Sequence, residues 1–157
     1  MKNSKDNPGV FIPPPLFYAA LFFLSFLLQK YFPIGNGFLQ TSIAYVSGAI
    51  FIVAGLAFSI PALRQFIKTK NTVITVKPAT SLQTGGIYSL TRNPMYLGLL
   101  LVYTGLAFIF GNWWTFLLLP VLFVLVTCLI ILPEEKYLSE AFRNSYPEYK
   151  KNTRRWI

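Results

Sequence analysis

MYLGLLLVYTGLAFIFGNWWTFLLLPVLFVLVTCLIIL, residues 95–132, holds no Asp, Glu, Lys or Arg. Its one break is Gly111-Asn112, a pair suited to a tight turn. The flanking runs, Met95 to Phe110 and Trp113 to Leu132, are roughly 24 and 30 Å long as helices, against a bilayer hydrocarbon core of about 30 Å. A chain in lipid must satisfy its backbone polar groups internally, and a helix does so without a partner segment. The stretch therefore predicts two transmembrane helices joined as a hairpin. Trp113 and Trp114 open the second, where an interfacial aromatic belt is expected.

Two more apolar runs precede the hairpin. Leu16 to Phe32 follows Pro13-Pro14-Pro15, prolines that a first helical turn tolerates, and Gln29 and Lys30 interrupt it only near its end. Pro33 to Gly37 reads as a turn. Thr41 to Leu63 forms the next run, with Ala44, Gly48, Gly55 and Ser59 on one helical face, a pattern that lets helices approach closely in lipid. The predicted spans are about 16–32, 41–63, 95–110 and 113–132. Composition agrees: 54% of the 157 residues are hydrophobic and 12% charged, where a soluble chain carries about a quarter charged. The length suits a single domain over residues 1–157. Met1 to Gly9 reads as a polar, mobile tail without the cleavage pattern of a signal peptide.

Charge sets the orientation. Four crossings put all of the 14 Lys and Arg residues except Lys30 on one side, which the positive-inside rule makes cytoplasmic. Both termini and the long loop Arg64 to Arg92 then face the cytoplasm of a multi-pass protein, expected in a prokaryotic cell membrane. A net charge of +9 also suits nucleic acid, but in so apolar a chain it matches anionic lipid, so no nucleic-acid partner is expected. The chain has no histidine, which removes the commonest general base and metal ligand. Cys128 is the single cysteine, so no intrachain disulfide forms, and with only five acidic residues no metal site is expected.

Almost every group able to do chemistry faces one compartment. In the loop, Gly85-Gly86 permits positive φ or a close backbone approach to a ligand. Asn93-Pro94 leads into the third span, whose N-terminal N–H groups can hold a carboxylate with Arg92 beside them. Any loop entering a membrane helix uses such residues, so spacing alone leaves a purely structural role open. Pro133 closes the apolar run and opens a polar helix, and Glu134 and Glu135 follow it. They suit a plain first helical turn, or hydrogen bonds from ribose hydroxyls, or the balancing of a cationic ligand. Tyr137, Leu138, Ala141 and Phe142 make an apolar stripe that fits a core, a membrane-surface helix or part of a lid. The tail from Tyr146 to Ile157 mixes aromatics and cations, as a lipid interface does.

The ordered set of Leu82-Gln-Thr-Gly-Gly-Ile-Tyr88, Thr91-Arg-Asn-Pro-Met-Tyr-Leu-Gly98, Glu134-Glu135, then Phe142, Tyr146, Tyr149 and Arg154-Arg-Trp156 resembles the isoprenylcysteine carboxyl methyltransferase family. That family's broader clan includes membrane phospholipid methyltransferases. The resemblance covers Lys77 to Ile157. It implies an all-α integral membrane fold of four transmembrane helices, the last two a hairpin, with the cytoplasmic loop and C-terminal helix closing a pocket for S-adenosylmethionine. The family's cofactor contacts carry onto Thr80, Ser81, Leu82, Gln83, Tyr88, Asn93, Pro94, Met95, Tyr96 and Glu134. Arg92 and Glu135 join them from the residue reading above. Asn93 stands where the family signature has His, so it can hydrogen-bond a carboxylate but not carry charge. Ile130 stands where eukaryotic members have a substrate-associated Arg, which argues against an isoprenylcysteine acceptor.

The implied activity is S-adenosylmethionine-dependent methyl transfer to a lipid-like or isoprenoid-like, amphipathic acceptor at the cytoplasmic membrane face. Such transfer needs alignment and exclusion of water more than acid–base machinery, which a chain without histidine can supply. No catalytic residue is assigned; Glu135 or a tyrosine is the candidate base. A small lipid acid, thiol or isoprenoid is the first choice of acceptor and a phospholipid amine the second. Two rivals remain. A sterol- or steroid-type reductase using NADPH carries a related Arg-His-Pro-x-Tyr-like stretch but is a longer chain. A small non-enzymatic membrane protein for transport should line a path with intramembrane charge, which these runs lack between their ends.

Overall fold

The computed structural model describes residues 9, 12–69 and 81–157, so Thr80 and the tail before Gly9 lie outside the described residues. Among the described residues all regular structure is helical: α1 Pro14–Tyr31, α2 Ser42–Lys68, α3 Pro94–Phe110, α4 Trp113–Val126, α5 Leu132–Ala141 and α6 Ser145–Asn152. Single 3₁₀ turns at Gly37–Gln40 and Gly86–Ser89 precede α2 and α3. The helices α1, α3 and α4 begin within two residues of the predicted spans.

The starts have local causes. Pro14 lies in the first turn of α1 and Pro94 in that of α3, where a missing N–H leaves nothing unpaired. The Thr41 hydroxyl accepts from Ala44 N at the head of α2, and the Asn112 side chain accepts from Trp114 N at the head of α4. Gly111 ends α3 in the left-handed region at φ 61°, which makes the α3–α4 turn tight.

Two boundaries differ from the sequence reading. The α2 helix continues past Leu63 to Lys68, and its last turn brings Gln65 and Phe66 toward the loop. More consequentially, Pro133 does not open a new helix. Trp113–Ala141 is one continuous helix, and it widens to a π turn over Thr127–Ile131 before α5. Pro133 has no N–H for the Leu129 carbonyl and its ring crowds that carbonyl; the wider turn relieves the clash without ending the helix. Glu134 and Glu135 therefore do not occupy a free helix N-terminus, and a dipole cap does not explain them.

The tightest seam joins α2 to α3. The small-residue face of α2 expected from the sequence is buried at Ala44, Gly48 and Gly55, and it meets Gly98 and Gly105 of α3. A Cβ on Gly55 would stand 2.6 Å from the Gly98 carbonyl oxygen, and one on Gly98 would stand 2.6 Å from that of Gly55. Gly48 faces Gly105 in the same way, so the backbones touch and no side chain fits between. On the other side of α3, α1 and α4 pack with Tyr18, Tyr96, Leu100, Tyr103, Leu122, Val126, Ile130 and Ile131 in one cluster.

Ser42–Lys68 and Trp113–Ala141 are long and apolar enough to cross a membrane, and only 17% and 28% of their most apolar windows are buried within the chain. A soluble protein's core helix would be mostly buried. Side chains such as Ile43, Ile50 and Val53 on α2, and Leu117 and Val124 on α4, stand exposed instead. The α3 helix is a shorter apolar one. At the α3–α4 turn, Asn112 Nδ2 donates to Ser25 Oγ at 3.1 Å and Ser25 Oγ meets Thr115 Oγ1 at 2.8 Å, tying α1 to the hairpin.

Candidate functional site

At the opposite end of α3, Pro94 is fully buried and Tyr96 lies two residues into the helix. The Tyr96 hydroxyl donates to Glu134 Oε1 at 2.8 Å. The apolar part of the long helix ends at Leu132, and Glu134 follows it, partly buried. Burial pushes its carboxyl up to about 7, while the Tyr96 hydrogen bond acts to lower it. Tyr88, from the turn before α3, is buried with its ring stacked on Phe66 at 5.7 Å. Its hydroxyl is buried without a hydrogen-bond partner among the described residues. Burial, then the Tyr149 and Glu134 charges, raise that hydroxyl well above an ordinary tyrosine.

Glu135, one residue on, has the opposite surroundings. Arg155 reaches it twice, Nε to Oε1 at 2.9 Å and a terminal nitrogen to Oε2 at 2.8 Å. Arg92 reaches Oε1 at 3.0 Å, and Lys150 Nζ lies 4.0 Å from Oε2. The side chains of Arg92 and Glu135 are 7% and 8% exposed, so this pair is buried. Burial alone would raise the Glu135 carboxyl; the Arg155 hydrogen bond and the Arg92 charge outweigh it and hold the group below its ordinary value.

The same residues strap the C-terminal segment down. Arg92 N donates to Arg154 O at 3.0 Å, while Thr91 Oγ1 and Asn93 Nδ2 donate to Arg155 O at 3.1 and 2.9 Å. Asn93 thus spends one donor on the tail. Arg92 also contacts Lys150 O at 3.4 Å and keeps its Nε buried without a partner among the described residues. Its charge, read from the sequence as an aid to holding a carboxylate at the helix end, is matched by Glu135.

Ser81 and Gln83 lie in a hydrogen-bonded chain: Gln65 Nε2 donates to Gln83 Oε1 at 3.1 Å, and Gln83 Nε2 donates to Ser81 Oγ at 2.8 Å. Leu82 and Met95 pack against the cluster of Ala62, Tyr88, Tyr146 and Tyr149. Leu138 and Phe142 join them there, so these two of the stripe serve a core, while Ala141 is exposed. Gly86 takes φ 61° with Gln65 Oε1 3.0 Å from the place a Cβ would occupy.

Three contributors escaped the sequence reading. Tyr18 donates to Tyr96 O at 3.0 Å from α1, far away in sequence. Gln65 lies beyond the expected end of its span. Arg155 was counted with the lipid-facing cations, although it is the strongest partner of a buried carboxylate; its place in the Arg-Arg-Trp run was the available signal.

The arrangement puts a carboxyl of near-neutral titration among phenols, with aromatic and aliphatic walls, beside a rigid ion cluster. It can accept hydroxyl hydrogen bonds or balance a cation in a dry setting. Residues 43–145 match the family model described as PEMT: Phospholipid methyltransferase. No curated protein and no solved structure matches the chain. The matched residues run from α2 into the start of α6 and leave out α1.

Proposed function

This chain belongs to the phospholipid methyltransferase family, and we propose that it transfers a methyl group from S-adenosylmethionine to a lipid-like acceptor at the cytoplasmic membrane face. In this reading all four apolar helices cross the bilayer with both termini cytoplasmic, as the Lys and Arg distribution favours. The observation that carries the proposal is Glu134, held by Tyr96 where the apolar part of the long helix ends, together with the buried Tyr88 hydroxyl, which has no hydrogen-bond partner among the described residues.

The residues fit the cofactor's chemistry. Glu134, once ionised, can balance a sulfonium or accept from ribose hydroxyls, and Tyr88 offers a buried hydroxyl with no hydrogen-bond partner among the described residues. Ser81, Leu82, Gln83, Asn93, Pro94 and Met95 would complete its surroundings, together with Thr80. Arg92 and Glu135 would frame the pocket by locking loop, α5 and tail together. Bound there, S-adenosylmethionine supplies an electrophilic methyl group. The chain's part is to align donor and acceptor and to exclude water.

Proton removal is a weak point of this residue set. Glu135, held ionised by its arginines, is a poor base. Glu134 is the remaining carboxyl at the site. An acceptor already ionised near neutral pH, such as a carboxylate or thiolate, therefore needs least help, whereas a protonated amine must give its proton to Glu134, a tyrosine or water. The test is methyl transfer from labelled S-adenosylmethionine to detergent-dispersed acceptors and matched soluble analogues. Long-chain acceptors should turn over far faster. Equal turnover of short and long forms would sink access from the bilayer, and binding of NADPH in place of S-adenosylhomocysteine would sink the methyltransferase.

A further inference from the structure

We propose that α1 completes the site, with Tyr18 as a positioning residue that keeps the Tyr96 hydroxyl on Glu134. The inference rests on the function proposed above. It starts from a two-link chain across three helices: Tyr18 OH to Tyr96 O at 3.0 Å, then Tyr96 OH to Glu134 Oε1 at 2.8 Å. Both tyrosines are buried, at 6% and 8% exposure, in one cluster with Ile130 and Ile131.

The Tyr96 carbonyl lies in the first turn of α3, where one lone pair serves the helix and a second stays available. Helix formation therefore does not require Tyr18. A phenol buried among apolar groups does require a partner, and this bond pins the Tyr18 ring beside Tyr96. With Tyr18 and Ile130 packed in the same cluster, the Tyr96 ring keeps its hydroxyl on the carboxyl. The α1 helix lies outside the residues that match the family.

The groups facing Glu134 are Tyr96 from α3, Tyr88 from the turn before it and Tyr146 from α6, while Arg92, Arg155 and Lys150 are paired with its neighbour Glu135. Because the Tyr96 bond lowers the Glu134 carboxyl, loosening Tyr96 moves its titration to higher pH.

The experiment uses the purified full chain in micelles. Affinities for S-adenosylmethionine, a cation, and S-adenosylhomocysteine, a neutral thioether, are measured across neutral pH, along with Tm against pH. Tyr18→Phe should weaken S-adenosylhomocysteine binding about threefold to tenfold, the usual worth of one hydrogen bond. It should also raise the pH at which the cation gains over the neutral ligand. Tyr96→Phe should do both more strongly, and the double variant should be no worse than Tyr96→Phe alone. Phe17→Leu, which thins the same cluster without touching the chain of bonds, should lower Tm and leave affinity alone. Unchanged affinity and pH midpoint in Tyr18→Phe, or effects of the two substitutions that simply multiply, would overturn the proposal. If the wild type binds neither ligand, the methyltransferase reading fails, and the midpoint of Tm against pH still decides whether Tyr18 acts on Glu134.

Discussion

Both ends of the helix bundle bury polar groups, and they do so differently. At the α3–α4 turn, Asn112, Ser25 and Thr115 are neutral and paired with one another, and Asn36 Nδ2 donates to Gly111 O at 3.2 Å. At the far end lie two carboxyls, two arginines and several tyrosines, and the Tyr88 hydroxyl and Arg92 Nε are buried without partners among the described residues. A closed neutral network fixes structure. Ionisable groups with unspent hydrogen-bonding capacity are the kind of residues on which the proposed site rests. Within that end, the contrast sharpens to adjacent residues, since Glu134 faces phenols and Glu135 faces cations.

The largest effect should come from Glu135→Ala, which strands Arg92 and Arg155. Breaking a buried pair by removing one partner typically costs about 3–5 kcal/mol, so unfolding in micelles should move by that order and the tail should become sensitive to carboxypeptidase. A loss under about 1 kcal/mol would place the cluster with ordinary surface pairs.

Glu134→Ala should weaken S-adenosylhomocysteine binding at least tenfold, from about 1.5–3 kcal/mol for a charged hydrogen bond. The two carboxyls should also part company in pH. Glu134 has a raised folded value, so between its ordinary 4.5 and about 7 the folded state holds the extra proton, and stability falls as pH rises through that window. Glu135 has a lowered value, and its contribution, present above the ordinary carboxylate range, is lost as pH falls through the folded value. Glu134→Gln should abolish the first slope and spare the second. A neutral-pH slope that survives Glu134→Gln belongs to another group.

At the opposite end, Asn112→Ala removes a helix cap and a buried partner of Ser25. It should cost about 1–2 kcal/mol and leave cofactor affinity within twofold. A matching loss of affinity would erase the distinction between the two ends. The smallest perturbation tests which end faces out. Asn112 is 2% exposed, so a label must go elsewhere. Gly35 is exposed with no neighbour near its Cβ position. Gly35→Cys, with Cys128 replaced by Ala, should be silent for stability and labelled from outside intact cells. Labelling only after the cytoplasmic side is opened would overturn the four-span orientation.

Much of this was legible from local patterns. Uncharged runs located the helices, and Gly48 and Gly55 announced the α2–α3 seam, because in lipid close packing depends on side-chain size along one face. The turn chemistry of Gly111-Asn112 gave the hairpin. Tyr96, Glu134 and Tyr88 were nominated by motif order, and the structure brings them together. Other features depended on distant neighbours. Whether Pro133 would end a helix or widen it depended on the packing of α4 and α5 on either side of it. That Arg155 serves Glu135, when its sequence context reads as lipid-facing, follows from the tail folding back over residues 91–93.

The sequence by itself determined the periodicity, length and polarity of the helices, since these depend on a residue and its near neighbours. It also determined which few side chains could do chemistry, because histidine is absent and acids are scarce. Only the tertiary structure decided what those side chains became. Glu134 and Glu135 are the same residue type one position apart, and roughly a 100° rotation about the helix axis separates a cluster of phenols from a triad of cations. A carboxyl's charge state is set by the groups within a few ångströms of it, and those groups come from α3, the loop, α6 and the tail, which no local pattern places side by side.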